Sequence, residues 1–325
     1  MGTQKSHPVG GVDYPQTLQE FDEWFWTEEN CIRYLSRLRW PQGFKCPKCG
    51  SLESWLTSRH LLYCKLCHRQ TSVTAGTLFE GTRKPLRVWF QAMWYLTNQK
   101  FGVSALGLQR VLGLGSYQTA WTWLHKLRRA MVRPGREMLG GCVEVDETYI
   151  GGEEEGTRGR KTDNKSIVAI AIEVHSPKGF GRVRLRQVPD VSASSLVGFV
   201  KDVVATDTVV VTDGWRAYLG LSAHGYNHQR RIQSGSDEPA HVVLPGPHRI
   251  ASLLKRWLLG THQGAVRHKH FDYYLDEYTF RFNRRSSKAR GLLFHRLMEQ
   301  AVQLKPTTYR YIVGGKTNLT QKSLE

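Results

Sequence analysis

The sequence predicts a multidomain protein, with a small cysteine-rich part and a helical part ahead of a larger mixed α/β domain. The chain has 325 residues and 40% hydrophobic content, which is enough for two or three domains of roughly 100–200 residues each. Two C-x-x-C motifs lie early in the chain. Apolar, β-branched runs typical of strands, with a helical pattern between them, follow after Pro134.

The charge of the chain predicts a polyanionic partner. Lys and Arg number 46 against 28 Asp and Glu, a formal net charge of +18, and nucleic acid is the leading candidate. A solvated basic surface is the alternative. The first residues show no apolar leader, and no apolar run approaches the roughly 18 residues that span a bilayer. We therefore expect a cytoplasmic, nucleoid-associated protein with no membrane partner and with reduced cysteines.

Two short helices are predicted between residues 17 and 40. Thr17 precedes Glu20 by the spacing of a capping box, and Thr27 marks the start of the second helix. Phe21, Trp24 and Phe25 recur at spacings of three and four, which is typical of a helix face packed on a core, the alternative being a binding surface. These helices form the predicted N-terminal element.

Two C-x-x-C motifs, CPKCG and CKLCH, are separated by 14 residues within a predicted domain of residues 41 to 84. Four thiolates at this spacing can surround one zinc ion tetrahedrally, whereas a redox pair needs a single C-x-x-C in a thioredoxin-like setting. Such a site holds a small β-ribbon together, because metal binding supplies its folding free energy. His68 follows directly, but four cysteines already satisfy the ion. The predicted ligands of one structural Zn²⁺ are Cys46, Cys49, Cys64 and Cys67.

Residues 85 to 135 are predicted to be helical. The segments VSALGLQRVLGL and SYQTAWTWLHKLRRAM are joined by a glycine turn, and each begins with a serine at an N-cap position. This pattern predicts a helix-turn-helix, although any helical hairpin gives the same pattern. The basic end of the second helix and the neighbouring ribbon favour DNA binding. The residues predicted to contact DNA here are Lys126, Arg128 and Arg129.

Two aspartates stand out in the predicted α/β core of residues 140 to 305. CVEVDETYIGG reads as a strand with Asp146 near its end, and TVVVTDGWRAYLG leads Asp213 into a glycine turn. Carboxylates brought together repel each other unless a divalent cation lies between them, although each aspartate alone is more often a turn residue. A glycine- and charge-rich loop is predicted at 151 to 166, and a C-terminal tail at 306 to 325.

Seven sequence blocks occur in order over roughly residues 20 to 285: RLRWPQGFKCPKCG, RQTSVTAGTLFEGTRKPLRVWF, LQRVLGLGSYQTAWTWLHKLR, VEVDETYIGG, VTDGWRAY, SLLKRWLLGTHQG and YLDEYTFRFNRR. Together they resemble prokaryotic insertion-sequence transposases with an N-terminal zinc ribbon and a DDE-type catalytic domain. The resemblance implies an RNase H-like (retroviral integrase-like) core with a mixed sheet. In that core, an acid on the first strand, an acid after the fourth strand and a third residue on a late helix hold two magnesium ions. Asp146 and Asp213 match the first two positions.

The third position departs from the family pattern, in which a Glu comes seven residues before a Lys on one helix. Here the residue seven before Lys255 is His248, and nearly two helical turns place both on one face. Imidazole is a poorer partner for magnesium than a carboxylate and suits manganese better. We expect a DDH variant, the alternative being a helix-start residue in an impaired enzyme. Asp276 and Glu277 are alternative candidates for the third ligand, but Glu277 is spaced to pair with Arg281.

The resemblance implies a DNA transposase that binds the ends of an insertion sequence and catalyses two-metal phosphodiester hydrolysis and strand transfer into target DNA. Each active site holds two Mg²⁺ or Mn²⁺ ions, and Lys255 and Arg256 contact phosphate or the DNA end unless they are only solvated charges. Joining two ends calls for a homo-oligomer on DNA. Two other classes remain: a catalytically impaired, transposase-derived DNA-binding protein, and an RNase H-like nuclease that cuts without joining.

Overall fold

The computed structural model describes residues 7–133, 135–151, 165–175, 177, 179–232, 243–264 and 266–314. The contacts divide these residues into two units, one from 1–133 and 287–316 and the other from 134–286. Most of the predicted loop at 151–166 and much of the predicted tail at 306–325 lie outside the described residues. No helix in the described part of the chain combines the length and apolar character that crossing a membrane requires.

Threonine caps begin the first helices as predicted. The Thr17 hydroxyl accepts the Glu20 N–H, and the Thr27 hydroxyl accepts the Asn30 N–H. Each cap satisfies one of the N–H groups that the first turn of a helix leaves without a partner. The helices of the first unit are α1 (Leu18–Trp24), α2 (Glu28–Arg39), α3 (Leu86–Asn98), α4 (Ala105–Leu112), α5 (Tyr117–Ala130), α9 (Arg290–Gln303) and α10 (Tyr309–Val313).

The start of α3 is capped from a neighbouring helix. Pro85 is its N-cap residue and has no side-chain acceptor. The Glu28 carboxylate of α2 accepts instead the N–H groups of Leu86 at 2.7 Å and Arg87 at 3.2 Å. A carboxylate at this end also interacts favourably with the helix dipole, so the contact fixes α3 against α2.

A small antiparallel sheet follows α2, which confirms the predicted ribbon. Its strands are β1 (Ser54–Leu56), β2 (Leu61–Cys64) and β3 (Gln70–Ser72), with β2 in the centre. The strands are three or four residues long, and the associated core is limited to Phe44, Cys46 and Cys64 with a few partly buried neighbours. A core this small cannot stabilise the ribbon alone.

The predicted helical hairpin is formed by α4 and α5. Gly113 ends α4 in the left-handed conformation, with φ of 60°, and Ser104 and Ser116 cap the two helices as expected. Trp123 of α5 stacks on Trp89 of α3 with ring centroids 3.6 Å apart. The hairpin is therefore packed into a larger helical unit, and its role as a DNA-binding helix-turn-helix stays a prediction.

Helix α9 comes late in the chain but packs on α2 and α3. Phe294 lies in an aromatic cluster with Phe21, Phe25 and Phe90, at ring-centroid distances of 5.6 to 5.9 Å. The Tyr34 hydroxyl and His295 Nδ1 lie 2.7 Å apart in the same core. The predicted domain boundaries, including the end of the catalytic domain at 305, remain predictions, but these contacts group α9 with the N-terminal helices.

We predict that Gly291→Ala destabilises the first unit by about 1–3 kcal/mol, since overpacking a tight contact typically costs that much. A Cβ at Gly291 would lie 1.7 Å from the Pro15 carbonyl oxygen. Urea denaturation of the full chain followed by tryptophan fluorescence measures the loss. Gly198→Ala is the control, because a Cβ there meets nothing within 4 Å. Equal stabilities of the two variants would contradict the prediction.

The second unit contains the predicted mixed sheet. Its strands are β4 (Cys142–Ile150), β5 (Ser166–Val174), β6 (Phe180–Val188), β7 (Val209–Thr212) and β8 (Asn227–Arg230). They lie in the order β6-β5-β4-β7-β8, in which β5 pairs antiparallel with both β4 and β6, β7 pairs parallel with β4, and β8 pairs parallel with β7. The helices are α6 (Ala193–Val203), α7 (Pro245–His262) and α8 (Phe271–Asn283), with short 3₁₀ helices at Arg216–His224 and His268–His270.

Both faces of this sheet are covered. Val143 and Val145 of β4 belong to a core that includes α6 and the 3₁₀ helix after β7. Ile170 and Ile172 of β5 face the opposite way, into a core with α7 and α8. Since side chains alternate along a strand, the even-numbered residues of β4 lie on the face that α7 covers.

Candidate active site and metal cluster

The two predicted catalytic aspartates lie at equivalent positions of adjacent parallel strands. The register of β4 and β7 ends with Val145 opposite Thr212, and Asp146 and Asp213 are the next residues. The sequence placed Asp146 near a strand end. The structure places it in the middle of β4, because β4 continues to pair with β5 as far as Ile150. Both carboxylates therefore lie where the parallel pairing with β7 stops.

Backbone N–H groups orient both carboxylates. Asp213 Oδ1 accepts the Trp215 N–H at 2.9 Å, and Asp146 Oδ1 accepts the Glu147 N–H at 2.8 Å. Asp213 thus also serves as the turn residue that the sequence allowed. An ionised carboxylate has about four lone-pair sites on its two oxygens, so a bond to one oxygen leaves capacity for a cation.

His248 lies in the first turn of α7. Its Nε2 is 3.9 Å from Asp146 Oδ2, and the two side chains are 39% and 16% exposed. The structure thus brings the third predicted residue to the first one, at a site that solvent reaches. The arrangement offers two carboxylates and one imidazole, a donor set that fits Mn²⁺ better than Mg²⁺.

Lys255 and Arg256 are exposed further along α7. Ile250, Leu254 and Leu258 of the same helix are buried in the core against β5, which fixes which side of α7 faces the protein. The predicted pair of Glu277 and Arg281 is present, with Arg281 Nε donating to Glu277 Oε1 at 2.8 Å. Glu277 is fully buried in this ion pair, so it does not replace the third ligand.

Several neighbouring polar residues had no predicted role. The buried Glu144 carboxylate accepts the Gly246 N–H, and the Tyr218 hydroxyl donates to Glu147 Oε2 at 3.0 Å on the other side of β4. Burial raises the pKa of Glu144, while the Gly246 N–H and the nearby Arg231 charge act in the opposite direction. Burial first, and then the Glu147 carboxylate, raise the pKa of Tyr218, which keeps its phenol protonated as a donor. The spacing of Glu144 from Asp146 was the available signal in the sequence.

The four predicted zinc ligands come together in the ribbon. Their sulfur atoms all lie within 4.8 Å of one another, and the Cys46–Cys67 and Cys49–Cys64 sulfurs are each 3.5 Å apart. Tetrahedral zinc with Zn–S bonds of about 2.3 Å needs sulfurs about 3.8 Å apart, so the cluster fits this ion. In the described part of the chain, no other group of three or more His, Cys, Asp or Glu donors is this closely spaced.

The His68 side chain contacts a tyrosine and not the sulfur cluster. Its Nδ1 lies 2.9 Å from the Tyr63 hydroxyl, and it has a positive φ of 61° directly after Cys67. This agrees with leaving it out of the ligand set. Cys31 and Cys142 lie outside the cluster as free thiols.

Two transposase family models match the chain, one over the zinc ribbon and the other over most of the α/β unit. Residues 26–70 match a transposase zinc-ribbon domain, and residues 138–283 match an ISXO2-like transposase domain. The chain therefore carries a transposase zinc ribbon followed by an ISXO2-like transposase domain. The second match contains Asp146, Asp213 and His248, and the first contains all four ribbon cysteines.

Two relatives are described in terms of transposition. An uncharacterized protein in transposable element ISH50 of Halobacterium salinarum is 27% identical over 263 residues, which cover 74% of this chain and 86% of the relative. An uncharacterized transposase-like protein of Haemophilus influenzae is 27% identical over 112 residues, covering 34% of this chain and 89% of the relative.

The basic residues predicted to contact DNA on α5 of this transposase are poorly placed for it. Arg128 and Arg129 are only 1% and 3% exposed. Lys126 is partly buried, and its pKa is lowered by that burial and by the neighbouring Arg129 charge. Charge near a helix end predicted these contacts, but the sequence did not show which face of α5 is buried. Direct phosphate contact by the three residues stays a prediction, which the burial of the arginines does not favour.

Proposed function

We propose that this chain binds the ends of an insertion sequence and catalyses phosphodiester hydrolysis and strand transfer into target DNA. The observation that carries the proposal is the meeting of Asp146 and His248, 3.9 Å apart, beside the strand that delivers Asp213. These residues come from β4, from the end of β7 and from α7. The strand order of the sheet supports an RNase H-like core, in which the same three positions hold the catalytic residues.

This site is proposed to hold two divalent ions. Asp146 and Asp213 supply negative charge that is unfavourable at close range without a cation, and His248 adds a neutral nitrogen donor. Asp146, Asp213 and His248 would hold the two ions, which would supply Lewis-acid activation of the attacking oxygen and charge stabilisation at the leaving oxygen. The backbone bonds to Asp146 and Asp213 hold the carboxylates in place before the ions arrive.

The remaining parts of the chain have proposed roles in holding DNA. Lys255 and Arg256, exposed on the helix that carries His248, are suited to contact the phosphates next to the cleaved bond. The ribbon, with one structural zinc on its four cysteines, and the α4–α5 hairpin would recognise the element ends. Because two ends must be cut and joined, the active form is expected to be a homo-oligomer on DNA.

Replacing His248 tests the assignment. Wild-type protein should cleave and join labelled element-end DNA, with manganese supporting more activity than magnesium. His248→Ala should lose about 100-fold or more, since even residues that only support a metal ligand are typically worth 10–100-fold. His248→Glu should retain activity and shift the preference toward magnesium. Gel assays of cleaved and joined products in each metal measure these rates.

Other results select the alternative functions. If wild type and His248→Ala bind element ends but are equally inert, while His248→Glu gains activity, the chain is a DNA-binding descendant of a transposase. If wild type forms hydrolysis products and no joined strands under all conditions, it acts as a nuclease. His224→Ala is the matched control, because this histidine lies in the last turn of the 3₁₀ helix after β7 and has no proposed role in metal binding.

A further inference from the structure

A buried hydrogen bond joins strand β4 to the start of α7. Glu144 is 3% exposed, and its Oε2 accepts the backbone N–H of Gly246 at 2.8 Å. Two residues further along both elements, His248 Nε2 lies 3.9 Å from Asp146 Oδ2. Residues two apart share a face of a strand, so Glu144 and Asp146 both meet the first turn of α7 from the same face of β4.

The first turn of α7 has few backbone N–H groups that could bond to the rest of the protein. The helix begins with Pro245, Gly246, Pro247 and His248, and its N-cap, Leu244, offers no side-chain acceptor. The two prolines have no N–H, so Gly246 and His248 carry the N–H groups of these first four residues. The Gly246 group is the one that Glu144 takes, and a carboxylate is favourable at this end of the helix dipole.

Gly246 allows the helix backbone to approach β4 closely. A Cβ at this position would lie 2.7 Å from Ile172 Cγ2 and 2.8 Å from Glu144 Oε2. Any larger residue would force the Ile172 and Glu144 side chains or the start of α7 to shift. The small size of Gly246 therefore leaves room for the Glu144 carboxylate to reach its N–H group.

Arg231 connects the same carboxylate to two further segments. Its backbone N–H donates to the carbonyl of Thr212, the residue before Asp213, at 2.8 Å. Its Nη1 donates to the Val243 carbonyl just ahead of α7 at 2.7 Å and lies 3.7 Å from Glu144 Oε1. A buried carboxylate needs such a partner, because an unpaired charge is costly away from water.

We propose that Glu144 is a positioning residue, which fixes the start of α7 and so holds His248 opposite Asp146. Arg231 and Gly246 complete this anchor. The inference rests on the proposed function, since it explains how the third ligand is kept in place. Glu144 touches neither DNA nor the ions in this role and acts only through the helix.

The test compares Glu144→Ala and Glu144→Gln in the full-length protein. Gln keeps an oxygen that accepts the Gly246 N–H, so it should behave nearly as wild type, while Ala removes the acceptor. Val143→Ala is the control, because Val143 is fully buried on the opposite face of the same strand. Hydrogen exchange of residues 243–250 reports the anchor without any metal. Free Mn²⁺, followed by electron paramagnetic resonance, reports the affinity of the site that His248→Ala removes.

Glu144→Ala should speed exchange in residues 243–250 by about tenfold and weaken Mn²⁺ binding by about 10–100-fold, as loss of a supporting partner usually does. Val143→Ala should change neither the exchange rate of residues 243–250 nor the Mn²⁺ affinity. Unchanged exchange in Glu144→Ala, or the same effect in Val143→Ala or Glu144→Gln, overturns the anchor. Faster exchange with unchanged Mn²⁺ affinity overturns its link to His248. If wild type has no Mn²⁺ site sensitive to His248→Ala, the proposed function fails, while the exchange data still decide on the anchor.

Discussion

Asp213→Asn is expected to abolish cleavage and strand transfer while leaving binding to element ends intact. The amide keeps the shape of the side chain and can still accept the Trp215 N–H, but it removes the charge that attracts a cation. A loss of ~10²–10³-fold is expected, because a single preorganised electrostatic contact to a transition state is typically worth that much in rate. Single-turnover cleavage assays and gel shifts measure the two properties separately.

Asp207→Asn is a matched control for this variant. Asp207 is exposed just before β7, with a positive φ of 62°, a conformation that asparagine also tolerates. It should cleave and join DNA at the wild-type rate. If Asp213→Asn retains more than a tenth of the activity, the residue after β7 is not a metal ligand and serves only the turn.

Cys64→Ser is expected to release the bound zinc and unfold the ribbon. Cys64 is fully buried in the small core, and structural zinc contributes about 10–16 kcal/mol of apparent binding free energy in zinc-finger peptides. Strands this short have no other source of comparable stability. The zinc content measured by elemental analysis should fall from one ion per chain to none. Proteolysis should become rapid between residues 41 and 72.

Cys142→Ser serves as the control for the ribbon variant, since Cys142 lies at the start of β4 outside the sulfur cluster. Its zinc content and its proteolysis pattern should match wild type. If Cys64→Ser instead keeps a full equivalent of zinc, the metal is held by other ligands and the assignment of the four cysteines is wrong.

The parts that the sequence predicted well are those whose physical cause is local. Two C-x-x-C motifs bring their own turns, and Thr17 and Ser116 cap helices through a hydroxyl three residues away. The strand containing Asp146 was visible because apolar and polar residues alternate there. The spacing of His248 from Lys255 led to the helix that the structure places over Asp146.

What the sequence could not predict depends on contacts between distant residues. The Glu144–Gly246 bond joins positions 102 residues apart, and nothing near either residue indicates the other. The burial of Arg128 and Arg129 was likewise hidden, because a basic helix end looks the same whether it faces solvent or packs on protein. Nothing in the sequence near α9 indicated that this helix packs with the N-terminal helices either.

The place of α9 has a consequence for how the protein folds as it is synthesised. Phe294 completes the aromatic cluster of Phe21, Phe25 and Phe90, and the Leu78 N–H donates to the Ala301 carbonyl. The N-terminal unit therefore cannot finish its core until the ribosome has made the whole α/β unit and the helix beyond it. During that interval its apolar helices are exposed to chaperones and proteases, so nascent chains that stop before α9 should be cleared rather than persist as free fragments.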